Sequence, residues 1–281
     1  MITSHILTNG DGFITITPIT TEEFERFRRL IYDHAGIALT PEKKVMVASR
    51  LAKRLDYYQL EHYGEYYQLA TSPDYPHEFQ TLVNILTTNE TYFFREPKHF
   101  EFFQQHILKT WRGEHFRVWS AASSTGEEAY TLAMVLAENL GAHNWEIFGS
   151  DLSTRVLEVA RHGVYPLDRL DHMDKRLLEK YCLRGVRSQE GYFRVDNKLR
   201  SRVKFDQVNL MSSLPHTLGR FDVIFLRNVL IYFDQDTKKQ VVERLITALK
   251  PGGHFIISHS ESLHRVTEQL QMLKPSIYRK P

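Results

Sequence analysis

Apolar residues in the first part of the chain recur every three or four positions. Phe24, Phe27, Leu30 and Ile31 trace one face of a helix. Thr20 and Glu23 stand at capping-box spacing before it, and Gly36 suits its end. Thr40-Pro41 predicts a second helix with proline in its first turn, carrying a stripe of Val45, Ala48, Leu51 and Leu55. Residues 63–69 and 79–86 predict two shorter helices. No convincing strand precedes about residue 88, so residues 19–88 are expected to form a small helical domain after a loose leader at 1–18.

The pattern changes after about residue 114, with 89–114 expected as linker and connecting helix. Residues 116–119, 145–148, 203–208, 221–226, 254–258 and 276–279 read as strands. Residues 126–140, 156–161 and 236–249 read as helices, the first with Tyr130, Ala133, Met134 and Ala137 on one side. Pro251-Gly252-Gly253 is expected to end the last helix. Such alternation predicts a mostly parallel sheet covered on both faces, spanning 115–281. Residues 162–202 interrupt it, with polar helices and then a hairpin from Gly185 to Val195 around Gln189-Glu190-Gly191. An insertion this long usually has a job of its own.

Composition narrows the function classes. Of 281 residues, 42% are hydrophobic and 25% charged, as in an ordinary globular protein. A net charge of only +2 gives no whole-molecule attraction to nucleic acid or membrane. One cysteine, Cys182, excludes an internal disulfide and fits a reducing cytoplasm; it reads as a small packed residue. No apolar run approaches spanning length, and the N-terminus shows no secretory signal pattern. The 14 histidines show no metal-ligand spacing, so no metal site is expected.

The candidate chemistry sits at strand ends. Ser120-Ala121-Ala122-Ser123-Ser124-Thr125-Gly126-Glu127-Glu128 follows the first strand and opens a helix, where open α/β sheets bind ligands. Its single glycine and two carboxylates argue against a pyrophosphate cradle and tolerate a cationic ligand. On its own the turn reads first as a plain strand-to-helix connection with favourably placed acids. Asp151 ends the second strand, 25 residues after Gly126, where a carboxylate can bind both hydroxyls of a ribose or cap the next helix. Asn209-Leu210 follows another strand and can frame an adenine edge. Arg227, Asn228 and Tyr232 follow the buried strand 221–226. Between the domains, Asn89, Thr91 and Arg95 are hard to place in a core, whereas Phe93 and Phe94 read as packing residues. His259 and Glu261 only border the expected pocket.

Four strings in this order, Asn89-Glu90-Thr91-Tyr92-Phe93-Phe94-Arg95-Glu96, Ser123-Ser124-Thr125-Gly126-Glu127-Glu128, Ser150-Asp151-Leu152-Ser153 and Phe225-Leu226-Arg227-Asn228-Val229-Leu230-Ile231-Tyr232-Phe233, resemble the CheR family of chemotaxis receptor methyltransferases. The resemblance runs from about residue 20 to the end, with Ala129 where the family commonly has proline. It implies a Rossmann-like class I methyltransferase domain behind a helical N-terminal domain, with a small antiparallel β-subdomain inserted. It implies S-adenosylmethionine as cofactor and S-adenosylhomocysteine as product. Asn89, Thr91, Arg95, Glu128, Asp151, Asn209, Leu210, Arg227 and Asn228 would line the cofactor site, with Glu127 not separable from Glu128. Arg95 and Tyr232 would face the reacting centre.

The implied substrate is a glutamate on the cytoplasmic helices of a methyl-accepting chemoreceptor, converted to its methyl ester by a cytoplasmic monomer recruited to receptor arrays. Lys43, Lys44, Arg50, Lys53 and Arg54 form a basic run; Arg50, Lys53 and Arg54 share a helix face by spacing. A solvated face is the default reading, and the resemblance favours docking to the receptor. The hairpin is similar to the form that adds a receptor C-terminal peptide as a strand, with a simple flap as the alternative. Neither nucleic-acid binding nor membrane insertion is expected. The competing functions are a methyltransferase for another substrate and a non-catalytic cofactor sensor. The missing glycines disfavour a dinucleotide oxidoreductase.

Overall fold

The computed structural model describes residues 16–170 and 173–281, which divide after Thr88 into two compact units. Most of the expected leader, 1–15, lies outside the described residues.

The first unit is helical. Helix α1 (Thr21–Ala35) begins with the expected reciprocal cap between Thr20 and Glu23 and stops at Gly36. A 3-10 turn, Pro41–Lys43, leads into α2 (Lys44–Tyr58), followed by α3 (Tyr63–Thr71) and α4 (Glu78–Leu86). Phe24, Phe27 and Ile31 of α1 are buried in the unit's core, as are Val47, Leu51 and Leu55 of α2, Tyr66 of α3, and Leu82 and Val83 of α4. The stripe expected on α2 is therefore out of phase at its start. Val45 is 75% exposed, Ala48 is half-buried, and Val47 is the core residue. The 3-10 turn advances the chain by three residues per turn rather than 3.6, which rotates the phase of the helix behind it.

The second unit begins with residues expected to be a linker. A strap, 89–96, leads to α5 (Pro97–Phe102), which runs on through a wide turn, Phe103–Ile107, and a 3-10 turn, Leu108–Thr110. Phe93, Phe100 and Phe103 are sunk in the core, so this stretch belongs to the α/β unit. The unit then continues through β1 (His115–Ala121), α6 (Glu127–Leu140), β2 (Asn144–Asp151), α7 (Thr154–His162), β3 (Val164–Pro166), α8 (Lys175–Tyr181), β4 (Cys182–Arg184), β5 (Tyr192–Val195), α9 (Asn197–Arg200), β6 (Val203–Gln207), β7 (Phe221–Leu226), α10 (Gln235–Thr247), β8 (Leu249–Ile257), β9 (Gln271–Lys274) and β10 (Ile277–Arg279).

Seven strands form the main sheet in the order β6-β2-β1-β7-β8-β10-β9. The first five are parallel, and the last two turn back antiparallel. The expected mostly parallel α/β fold is what forms. In β7 five of the six residues are buried, as a strand covered on both faces requires. The chain leaves β1 towards β2 on one side and returns to β7 on the other. The strand order therefore reverses between β1 and β7, and the turn after β1 and the loop after β7 meet at that switch point.

Three details differ from expectation. Helix α6 is buried nearly all round, not on one side, with Ala129, Leu132, Val135 and Leu136 as inaccessible as Tyr130. Pro251-Gly252-Gly253 does not end a helix; it lies inside β8, and the pairing with β7 shifts register between Phe221 and Val223 to absorb it. The insertion is more than a hairpin. It is a three-stranded antiparallel sheet, β3-β5-β4, whose β4 starts at Cys182, before the expected Gly185. Gly185 enters the turn because a Cβ there would stand 1.9 Å from the Gln189 carbonyl oxygen.

Among the described residues no helix is long and apolar enough to cross a membrane.

Candidate cofactor site at the switch point

The turn after β1 is held by its neighbours. The Asp151 carboxylate, at the end of β2, accepts the Ser124 backbone N–H on Oδ2 and the Ser153 backbone N–H on Oδ1, both at 2.9 Å. It therefore fixes the turn and the chain entering α7 at once. Each of its oxygens retains a lone pair for a further donor such as a hydroxyl. Burial pushes its pKa up, against the pull of those N–H groups. Ser124 Oγ donates to the Asn89 carbonyl at 2.9 Å, tying the turn to the strap.

The two neighbouring glutamates separate cleanly. Glu128 faces the strand ends, where it accepts Ser120 Oγ at 2.7 Å and Arg227 Nη1 at 2.8 Å. Glu127 is 1% exposed and accepts Thr125 Oγ1 at 2.6 Å. Burial raises its pKa, with the Thr125 bond opposing.

Arg227 ends β7 as the hub of the site. Besides Glu128, its Nη2 donates to Glu96 Oε2 at 3.0 Å and to the backbone carbonyl of Arg95. Its guanidinium lies 5.4 Å from the Phe100 ring centre. One arginine thus pairs with two carboxylates and fixes the strap beside Arg95. Burial would raise the Glu96 carboxyl, but hydrogen bonds from His99 and Arg227 hold it below the usual carboxylate range. Glu96, His99 and His259 bring potential ligand atoms within 4.8 Å of one another. Glu96 Oε2 lies 3.0 Å from Arg227 Nη2 and 3.2 Å from His99 Nδ1, and Ser276 Oγ lies 2.7 Å from His99 Nε2 and 3.3 Å from His259 Nδ1. The cluster acts as a brace between the strap and the end of the sheet.

The loop after β7 has its own anchor. The Glu261 carboxylate accepts the backbone N–H groups of Asn228 at 3.1 Å, Val229 at 2.9 Å and Ser258 at 2.8 Å. Expected only to border the pocket, Glu261 sets the path of the loop that presents Asn228 and Tyr232. Arg95 donates from Nη1 to the Glu90 carbonyl at 2.8 Å and lies over the Tyr92 ring; it and Tyr232 are half-buried. Thr91 is buried, and its carbonyl accepts Arg169 Nη1 at 2.8 Å. Asn209 caps its own turn by accepting the Met211 N–H, and the Leu210 carbonyl accepts Arg244 Nη1. Five non-glycine residues around the site have left-handed backbone: Phe94 (φ 55), Glu96 (φ 57), Ala122 (φ 63), Ser124 (φ 50) and Asn228 (φ 60).

These residues fit a nucleoside ligand that carries positive charge and no phosphate. Asp151 has spare acceptor capacity at a strand end, the turn lacks a glycine cradle, and the Asp151 and Glu128 carboxylates stand where a phosphate would need donors. Asp151, Arg227 and the turn, expected at the ligand edge, do come together at the strand ends. Glu96, His99 and the anchoring role of Glu261 were not legible in the sequence, because each acts through partners far away in the chain.

In the first unit the five basic residues do not make one free face. Arg54 forms a two-pronged ion pair with Glu78, at 2.8 and 2.7 Å, with the Tyr58 and Tyr66 hydroxyls on the same carboxylate. Arg50 donates to the carbonyls of Ile85, Leu86 and Thr87 at the end of α4. Lys44 reaches Thr21 Oγ1 at 3.2 Å, and Lys43 and Lys53 are exposed.

Comparison with known proteins adds two family matches. Residues 22–87 match the CheR methyltransferase all-alpha domain, and residues 89–279 match the CheR methyltransferase SAM binding domain. The chain is 40% identical over 262 residues to the chemotaxis protein methyltransferase of Escherichia coli, covering 92% of this chain and 91% of that one. It is 39% identical over 262 residues to chemotaxis protein methyltransferase 2 of Pseudomonas aeruginosa, covering 92% and 93%. It is 35% identical over 285 residues to the chemotaxis protein methyltransferase of Borreliella burgdorferi, covering 97% and 99%.

Proposed function

The chain belongs to the CheR methyltransferase family, with S-adenosylmethionine as its cofactor, and from that premise we propose that it methylates specific glutamate side chains on the cytoplasmic helices of chemoreceptors. The reaction gives a glutamyl methyl ester and S-adenosylhomocysteine. The single observation that carries the cofactor placement is Asp151, buried at the end of β2 and joined to the ligand turn through the Ser124 N–H. Asn89, Thr91, Glu128, Asn209, Leu210 and Asn228 surround it in the reading, with Asp151 holding the ribose hydroxyls. Glu128 and Arg227 neutralise one another, so their part is to shape the pocket floor and hold the strap. Glu127, turned away from the strand ends, supports the turn from behind.

The cofactor supplies an activated methyl group on a sulfonium. A glutamate side chain with a pKa of about 4.3 is already anionic at neutral pH, so no general base is required. The protein's task is to align a carboxylate oxygen and exclude water. Arg95 grips the incoming carboxylate, and Tyr232 orients it from the loop that Glu261 fixes. Tyr232 and Phe94 offer rings for cation–π attraction to the sulfonium. The enzyme works in the cytoplasm and meets its substrate at receptor arrays. Its helical unit docks on the receptor through Lys43 and Lys53, with Lys44, Arg50 and Arg54 shaping the surface behind them. The open edge of β4 takes a receptor C-terminal peptide as an added strand.

The test is incubation of purified protein with labelled S-adenosylmethionine and receptor-containing membranes. The expected result is a base-labile label on a receptor band, abolished by Asp151→Ala. A base-stable label, or label on soluble proteins alone, would exclude glutamate methylation of receptors.

A further inference from the structure

The inserted sheet touches both segments that face the cofactor site. Tyr165, in the middle of β3, is 2% exposed, and its hydroxyl donates to the Thr125 carbonyl at 2.7 Å. Thr125 lies inside the turn after β1, between Ser124, whose N–H is fixed by Asp151, and Gly126, at φ 97. A Cβ at Gly126 would stand 3.0 Å from the Tyr165 hydroxyl and 2.9 Å from the Ala160 Cβ, so the turn is pressed directly onto the insert. Just beyond β3, Arg169 donates to the Thr91 carbonyl of the strap at 2.8 Å. Phe93 of the strap packs between Tyr165 and Phe193, with ring centres 5.1 and 5.6 Å away.

We propose that Tyr165 is a positioning residue for the cofactor: its hydroxyl sets the Thr125 carbonyl and thereby the backbone that the ligand meets. Arg169 does the same for the strap. The turn carries left-handed backbone at Ala122, Ser124 and Gly126, and such a segment keeps its shape only while its surroundings fix it. Asp151 fixes it from the ligand side and Tyr165 from behind. The insertion is thus part of the cofactor site's frame, whatever else its open edge binds. Tyr165 itself makes no contact with the ligand and is placed to act only through the turn. The inference rests on the cofactor placement proposed above.

Tyr63 provides a matched comparison. It is 4% exposed, and its hydroxyl also donates to a backbone carbonyl, that of Ala48, at 3.0 Å, within the helical unit. The experiment measures S-adenosylmethionine and S-adenosylhomocysteine binding by calorimetry on the full chain, with melting temperature recorded alongside. Tyr165→Phe keeps the packed ring and removes one hydrogen bond, so Kd is expected to rise about five- to tenfold. Tyr63→Phe should lower the melting temperature and leave Kd unchanged. Arg169→Met, on an exposed residue, should weaken binding several-fold without affecting folding. An unaltered Kd in Tyr165→Phe, or equal weakening by Tyr165→Phe and Tyr63→Phe, would overturn the inference. Asp151→Ala separates the two levels: unchanged affinity there removes the cofactor placement itself, whereas lost affinity there with normal Tyr165→Phe removes only the role of Tyr165.

Discussion

Arg227 donates to Glu128 at 2.8 Å, from the end of β7 to the first turn of α6, with the arginine side chain only 2% exposed. The bond spans the two loops that meet at the switch point, and Glu96 adds the strap to the same cation. Removing the arginine leaves two partly buried carboxylates without their counter-charge. Arg227→Ala should therefore cost about 3–5 kcal/mol in urea denaturation. Pairing it with Glu128→Gln should recover part of the loss, because one unpaired charge is then gone.

Glu261 holds three backbone N–H groups and so needs both oxygens as acceptors. In Glu261→Gln one oxygen becomes an NH2 that faces donors. We expect a loss of about 1–3 kcal/mol of stability. Methyl transfer should fall more than cofactor affinity, because the loop carrying Tyr232 shifts while Asp151 does not. Comparing kcat with the calorimetric Kd checks this.

Histidines set the acid limb of stability. Burial, with the nearby Arg279 charge, lowers the His254 pKa to about 4. Burial also lowers His34 and His99. The unfolded chain then binds protons that the folded chain refuses, so stability falls as pH drops from about 6.5 towards about 4. Urea midpoints measured across that window should decline, and His254→Gln should flatten the slope.

Gly185 has no room for a side chain, since a Cβ would sit 1.9 Å from the Gln189 carbonyl oxygen. Gly185→Ala should distort the β4–β5 turn and weaken it by roughly 1–3 kcal/mol. Hydrogen exchange should rise across 182–195, while the amides of β1 and β7 keep their protection.

Charge reversal discriminates between docking and structural cations in the first unit. Lys43→Glu with Lys53→Glu should reduce receptor methylation several-fold and leave the melting temperature and cofactor affinity alone. Arg54→Glu faces Glu78 across an ion pair with the glutamate 5% exposed, and should destabilise that unit by about 3–5 kcal/mol. Equal melting temperatures for the double lysine variant and Arg54→Glu would contradict the structural assignment of Arg54.

What was legible in the sequence was local or strongly periodic. The cap at Thr20 and Glu23 lies within one turn, and β7 is apolar at every position but Asp222, so both were readable. Asp151 was readable because a strand end and a fixed offset announce it. The phase of α2 was not, since Val45 and Val47 both continue a plausible stripe and only the preceding 3-10 turn decides between them. The strand through Pro251-Gly252-Gly253 was hidden because the extra residues that β8 accommodates between Leu249 and His254 show only against its pairing with β7. The partners of the charged residues were hidden for a simpler reason. Arg54 finds Glu78 24 positions on, and Arg227 finds Glu128 and Glu96 99 and 131 positions back. Spacing rules reach one helix turn, not across a sheet.

The left-handed backbone at Phe94, Glu96, Ala122, Ser124 and Asn228 has a consequence for how this protein can change. Each such residue costs the folded state on the order of 1–2 kcal/mol that glycine would not, least where asparagine stands. Glycine at Ala122 or Ser124 would relieve that cost and slacken the turn in the same step. Selection for heat resistance and selection for turnover therefore pull on the same positions in opposite directions. A lineage moving to hotter surroundings has reason to gain its stability in the helical unit and leave these five residues untouched.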